Sequence, residues 1–190
     1  MIQRIFIAIK LAEEVKKELS LIRSGYNLPV NWAPEENLHV TLFFLGAVNS
    51  EDVSEIKKIL EQIAGQRNSF NLIFDKISYG PGNDLPPRLV WLEAIRNDSF
   101  GSLREEIEQQ LRGKNLYYPT GQASITQPHI TLGRVKKWEW SRMDPEDRES
   151  VEKQVFFEVP VTEISIVESK LSPSRAPKYS TIGVISLKNL

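Results

Sequence analysis

Two stretches decide how this chain is read: Leu38-His39-Val40-Thr41-Leu42-Phe43-Phe44-Leu45 and Pro128-His129-Ile130-Thr131-Leu132-Gly133-Arg134-Val135. Both run His, β-branched apolar residue, Thr, Leu. That composition favours a strand, and along a strand the side chains at i and i+2 share a face. His39 therefore projects with Thr41, and His129 with Thr131. Val40, Leu42, Ile130 and Leu132 project the other way and can be buried. Each stretch thus offers an imidazole beside a hydroxyl on a stiff scaffold. These are the only 2 histidines in the 190 residues. If the two strands lie side by side, two imidazoles and two hydroxyls surround one small space.

Outward from these strands the chain alternates between sheet and helix. Residues 2–9, rich in Ile and Phe, read as a buried strand. Leu11, Val15, Leu19 and Ile22 fall at helical spacing over 11–23, and Gly25 closes that helix. The first His strand, 38–45, ends at Gly46. Ser50 then reads as the cap of a helix whose Val53, Ile56, Ile59, Leu60 and Ile63 face inward. Strands are expected over 70–78 and 88–95, joined by the Pro/Gly-rich loop from Gly80 to Pro87. Phe100, Leu103, Ile107 and Leu111 mark a helix stopped at Gly113. A loop with Pro119 and Gly121 leads to the second His strand, 129–135. Residues 138–154 read as a charged surface excursion with a short helix. Two final strands, about 155–168 and 179–187, flank the turn-rich Ser172-Pro173-Ser174-Arg175-Ala176-Pro177. Most links are too short for repeated parallel crossovers, so the pattern implies an α+β fold with antiparallel sheet. Strand, helix and His-bearing strand occur in each half.

Composition narrows the function. A chain of this size suits one domain, or two small lobes sharing one sheet system. With 41% hydrophobic and 26% charged residues it can bury an ordinary core. The net charge of -1 argues against coating long nucleic acid, though not against gripping one phosphate end. The absence of cysteine excludes disulfides, thiolate metal sites and a Cys nucleophile. The apolar start, Met1 to Ile9, is followed by Lys10, Glu13 and Glu14, and reads as a strand rather than a signal peptide or membrane span. A cytoplasmic protein with no membrane association, and a monomer, is expected.

Two imidazoles and two hydroxyls suit phosphodiester hydrolysis without a metal. A neutral imidazole can take a proton from water, and an imidazolium can give one to the leaving oxygen. Each transfer is typically worth about 10²–10⁴ in rate. The threonines can donate hydrogen bonds to non-bridging phosphate oxygens. A single His in a strand is more often structural, and Thr is simply a good strand former. Finding Thr at +2 after both histidines by accident is on the order of one in a thousand. A two-His metal site would need a third protein ligand, and neither strand carries Asp or Glu. No metal or other cofactor is expected. Acidic residues are absent from Gln109 to Trp138 and from Ser169 to Leu190, while Arg112, Lys114, Arg134, Lys136, Lys137, Lys170, Arg175, Lys178 and Lys188 lie there. Arg134, at His129+5, belongs on the opposite side of an ideal strand. A twist or bulge would swing it toward a phosphate.

At these motifs the chain resembles the two-histidine phosphoesterase superfamily, and within it the LigT-like RNA 2',3'-cyclic phosphodiesterases, also called 2'-5' RNA ligases. Arg4 to Ile9 resembles the family's opening strand. Asn31-Trp32, Glu36 to Leu42 and Phe44-Leu45-Gly46 resemble its first His block. Pro87-Arg88-Leu89-Val90-Trp91 resembles its middle strand, and Gln127 to Val135 its second block. Ser169-Lys170-Leu171 with Pro177 and Tyr179 resembles its closing segment. The resemblance implies a single domain over 1–190, built as two pseudo-symmetric lobes with antiparallel sheets around a central cleft and helices outside. It implies His39 as proton donor and His129 as proton acceptor. Thr41, Thr131, Arg134 and Tyr179 are expected to hold phosphate. It implies RNA as partner, through cyclic phosphate ends such as those of tRNA fragments. Phe43 stands where the family often has a basic residue, Ser174-Arg175-Ala176 where it has Gly, and the 138–154 excursion is long. Competing readings are a small nucleotide-derived substrate, a weak 2'-5' ligation, a non-catalytic RNA-end binding module, or a β-rich domain with accidental motifs.

Overall fold

Alternation along the chain becomes a sheet buried on one face. The computed structural model describes residues 1–82, 85–117, 127–148, 150–172 and 175–189. The elements run β1 (Ile2–Lys10), α1 (Glu13–Ser24), β2 (Val30–Trp32), a 3-10 turn (Glu35–Asn37), β3 (His39–Asn49), α2 (Val53–Ala64), β4 (Phe70–Gly80), β5 (Leu89–Ala94), α3 (Asp98–Gly113), β6 (His129–Val135), α4 (Lys137–Arg142), a second 3-10 turn (Pro145–Asp147), β7 (Lys153–Val161), β8 (Glu163–Ser172) and β9 (Arg175–Ser186). This is the expected α+β class. Among the described residues no helix is long and apolar enough to cross a membrane.

The strands form one nine-stranded sheet in the order β7-β4-β5-β6-β3-β1-β8-β9, with β2 pairing β6. Every strand pair is antiparallel. The order puts five strands between β7 and β8, yet only Thr162 separates them in sequence. A flat sheet would hold those strands about 29 Å apart, whereas two residues of chain span about 7 Å at most. The sheet must therefore bend into two halves, β7-β4-β5-β6 and β3-β1-β8-β9. The junction is thin: β3 and β6 pair only at Val40 and Ile130. The halves match position for position about that pair. β5 flanks β6 as β1 flanks β3, and a helix precedes each His strand and follows it.

The core lies between the helices and one sheet face. Val40, Leu42, Ile130 and Leu132 pack there with Leu19 of α1, Ile56 and Leu60 of α2 and Leu103 and Ile107 of α3. The opposite face of β1 and β8 carries a separate small cluster, Phe6, Ala8 and Val167, with Tyr179 against it. Burying a large aliphatic side chain contributes about 1.5–3 kcal/mol, so the helix-side face fixes the register and leaves the other face free for chemistry.

Several boundaries differ from expectation. Ser50 does not cap α2. The helix starts at Val53 after Asp52, with no side-chain cap, and Ser50 instead bonds Met1 across the β1–β3 ladder. The expected strand 155–168 is two strands, because β7 pairs with β4 in one half and β8 with β1 in the other. The last strand starts at Arg175, not 179, since the β8–β9 pairing runs as far as Ser172 opposite Arg175. β2 is an addition to the expected strands; its three residues complete the β6 edge. The loop with Pro119 and Gly121 lies outside the described residues, as do Pro173 and Ser174.

Candidate active site

The single junction pair decides what stands beside what. With Val40 opposite Ile130 in antiparallel register, His39 stands across from Thr131 and Thr41 across from His129. All four point away from the core. In both strands the four residues alternate half-buried and buried in the same order. The two histidines are diagonal neighbours, a relation that puts their Cβ atoms about 7 Å apart. Each imidazole is supplied by a different half of the sheet.

Each ring is oriented by the same device. His39 Nδ1 lies 2.7 Å from the carbonyl oxygen of Asn37, and His129 Nδ1 lies 3.0 Å from that of Gln127. In both cases the carbonyl belongs to the residue two positions upstream. A carbonyl can only accept, so Nδ1 carries the proton and Nε2 is the nitrogen that exchanges one. His39 Nε2 sits 3.0 Å from Thr41 Oγ1. Asn37 is itself braced: its side-chain amide donates to the Pro177 carbonyl at 2.9 Å. Upstream, Arg23 donates to the Ala33 carbonyl and Ser20 to Glu35, fixing the turn that delivers His39.

Aromatic rings wall both imidazoles. Phe6 lies 4.9 Å from His39, and Tyr179 stands edge-on to it at 5.5 Å and 84°. Trp91 stacks on His129 at 4.2 Å and 24°. Burial pushes the pKa of both histidines below the ordinary imidazole value. The Asn37 carbonyl opposes that shift at His39, while the charge of His129 adds to it. The Gln127 carbonyl and the Glu93 carboxylate oppose it at His129. Burial raises the pKa of Tyr179.

A bulge explains Arg134. Trp91 pairs with Thr131 and Val90 with Gly133, leaving Leu132 as the extra residue. Leu132 and Gly133 are both buried, and Arg134 emerges exposed on the face of Thr131. The same bulge occurs at Leu42: Ala8 pairs with Thr41 and Ile7 with Phe43. Phe43 is therefore core, 3% exposed, and Phe44 takes the place that Arg134 holds in the other half. Phe44 is 67% exposed, with its ring 6.0 Å from that of Phe6. Among the described residues no group of three or more His, Cys, Asp or Glu is placed to hold a metal. A concavity of about 620 Å³ at the start of α3, lined by Arg96, Asp98, Ser102 and Gln127, contains neither histidine.

The LigT-like phosphoesterase family model matches residues 9–91. A Thermotoga maritima protein named RNA 2',3'-cyclic phosphodiesterase is 33% identical over 187 residues, covering 94% of this chain and 92% of that one. The chain belongs to the LigT-like phosphoesterase family. A relative of the same name from Archaeoglobus fulgidus is 28% identical over 95% of this chain and 98% of its own. The crystal structure of TT0787 of Thermus thermophilus superposes with a TM-score of 0.81 at 26% identity, covering 98% of both chains. That of Escherichia coli LigT complexed with 3'-AMP has a TM-score of 0.77 at 23% identity, a likeness of fold.

The LigT-like fold thus brings His39, Thr41, His129 and Thr131 onto one face, swings Arg134 onto it, and sets Tyr179 against His39. Sequence reading does not single out Phe6, Phe44, Trp91 or the carbonyls of Asn37 and Gln127. Asn37 and Gln127 lie before the strands that start at His39 and His129 and contribute backbone carbonyls, so the side-chain period of a strand does not point to them. Trp91 has no local signal, since its partner is supplied by strand pairing.

Proposed function

We propose that this chain hydrolyses 2',3'-cyclic phosphodiester ends of RNA to 2'-phosphates, with His39 and His129 as its proton carriers and no metal. The observation that carries the reading is the pair of imidazoles on one face, each with Nδ1 tied to a carbonyl and Nε2 left to exchange a proton. The names of the relatives support the substrate class. A phosphoryl group fits between two diagonal imidazoles on adjacent strands, within hydrogen-bond reach of each.

Water attacks phosphorus and loses a proton to Nε2 of His129. The bond from phosphorus to the 3'-oxygen breaks, and that oxygen takes a proton from Nε2 of His39. A 3'-hydroxyl and a 2'-phosphate result, and solvent resets both histidines. Thr41, Thr131 and Arg134 hold the non-bridging oxygens, where charge develops. Tyr179 keeps His39 in place. Exposed Phe44 gives the terminal nucleobase a face on which to stack.

Hydrolysis of an RNA oligonucleotide ending in a 2',3'-cyclic phosphate is expected to proceed in excess EDTA and to yield only the 2'-phosphate. Loss of turnover in EDTA with recovery on adding a divalent ion would assign the chemistry to a metal. The pH dependence carries a second expectation. One histidine must be charged and the other neutral, so kcat/KM follows a bell. Both imidazoles are displaced downward, so the singly protonated pair peaks on the acid side of about 6.5, the ordinary imidazole value. The bound phosphodiester anion favours imidazolium, so the kcat profile lies at higher pH than the kcat/KM profile. A kcat/KM maximum above about pH 7.5 would contradict the buried, coupled pair.

A further inference from the structure

The two halves of the sheet match in position but not in chemistry around their histidines. Trp91 stands across from Thr131, whereas Ala8 stands across from Thr41. Glu93 stands across from His129, whereas Lys10 stands across from His39. From this placement we infer that Trp91 and Glu93 form a seat that orients the His129 ring and stabilises its imidazolium, both acting as positioning residues for the proton transfer at His129. The inference rests on the acid–base reading above and adds to it two residues that act through His129.

The seat is assembled from three strands. The bulge at Leu132 puts Trp91 directly across from Thr131, and the indole reaches the neighbouring His129 ring in a stack rather than an edge contact. Gly80 on β4 makes the room: a Cβ there would lie 2.5 Å from Cδ2 and Cε3 of the indole. Trp91 is 7% exposed, and its Nε1 has no hydrogen-bond partner among the described residues. Packing alone therefore holds the indole, with its face turned to the imidazole. The face of an indole carries the negative part of its quadrupole and attracts a cation. Ser78 Oγ, also on β4, donates to the Glu93 carboxylate and steadies it. Among the described residues of the adjoining strands, the other charged groups near His129 are His39, diagonal to it on β3, and Arg134 farther along β6. Lys76, on β4 beyond Glu93, is paired with Glu152. Glu93 is thus the nearby carboxylate, and its charge favours the state His129 enters when it takes the proton of water.

At His39 the aromatic contacts are Phe6, tilted at 36°, and Tyr179, perpendicular, and the cross-strand neighbour is Lys10 rather than a carboxylate.

The chain's two histidines give two sets of imidazole NMR signals, assignable with His39→Asn and His129→Asn. In Glu93→Gln the titration midpoint of His129 should fall while that of His39 stays. Its kcat should fall about 10-fold with KM within about twofold. In Trp91→Leu the upfield ring-current shift of the His129 signals should vanish and kcat should fall about 10-fold or more, while Trp91→Phe should restore most of both. If Trp91→Leu does not fold, Trp91→Phe and Glu93→Gln decide. The inference is overturned if Glu93→Gln leaves the His129 midpoint unmoved or moves both histidines alike, or if Trp91→Phe turns over no better than a folded Trp91→Leu. Full activity in His129→Ala would instead overturn the acid–base reading itself. A dead His129→Ala with silent Glu93 and Trp91 variants would overturn this inference alone.

Discussion

His39→Ala and His129→Ala are each expected to lower kcat by at least about 10²-fold, and the double variant by little more. One missing proton carrier stalls the whole displacement, because the two transfers belong to the same transition state. A factor of 10² corresponds to about 2.7 kcal/mol of barrier, within reach of one lost transfer. The variants should separate on a nitrophenyl phosphodiester. That leaving group needs little protonation, so His39→Ala should recover most of its turnover and His129→Ala should not. Rescue of His129→Ala instead would reverse the roles, and full activity in either single variant would end the acid–base model. Neither change should unfold the chain, since both rings are half-buried on the face away from the main core.

Arg134→Ala should cost about 10- to 10²-fold in kcat/KM, the worth of roughly 1.5–3 kcal/mol of charge-assisted hydrogen bonding to phosphate. Arg134→Lys should recover only part, because an ammonium keeps the charge and loses the bidentate fork. The loss should be accompanied by a weaker dependence on salt. An Arg134→Ala enzyme with unchanged kcat/KM would remove this side chain from the phosphate site. The expectation comes from the bulge: two regular steps beyond Thr131, about 7 Å along the strand, the guanidinium stem leaves from the same face as both histidines.

What is legible in the sequence is whatever depends on period. Strand 129–135 matches β6 to the residue, and the inward sets of α2 and α3 are those their spacing implies. The pairing of imidazole and hydroxyl on one face follows from the same rule. What depends on partners is not legible. Residues 155–168 read as one strand because nothing local marks Thr162 as the point where the chain leaves β4 for β1. Ser50 has the composition of a cap, but the ladder to Met1 claims it first. Strict alternation places Arg134 on the wrong side and a bulge places it on the right one, and the extra residue, Leu132, looks like any other apolar strand residue. Trp91 lies on a strand read correctly, and its stack on His129 exists only because β5 and β6 are neighbours.

The halves of the sheet differ in how the chain supplies them, and this bears on the order in which a ribosome can deliver them. The half that carries His129 draws β4, β5, β6 and β7 from one uninterrupted run, Phe70 to Val161, and β2, which pairs β6, is made before it. It can close as soon as that run clears the exit tunnel. The half that carries His39 is split: β1 and β3 come early, but β8, which must pair with β1, comes after everything else except β9. Until then β1 presents an unpaired edge, and the wall that Tyr179 gives His39 does not exist. Vectorial synthesis thus frames the second histidine before the first, and a nascent chain stalled before β8 holds His129 on a closed half-sheet while His39 still lacks its Tyr179 wall.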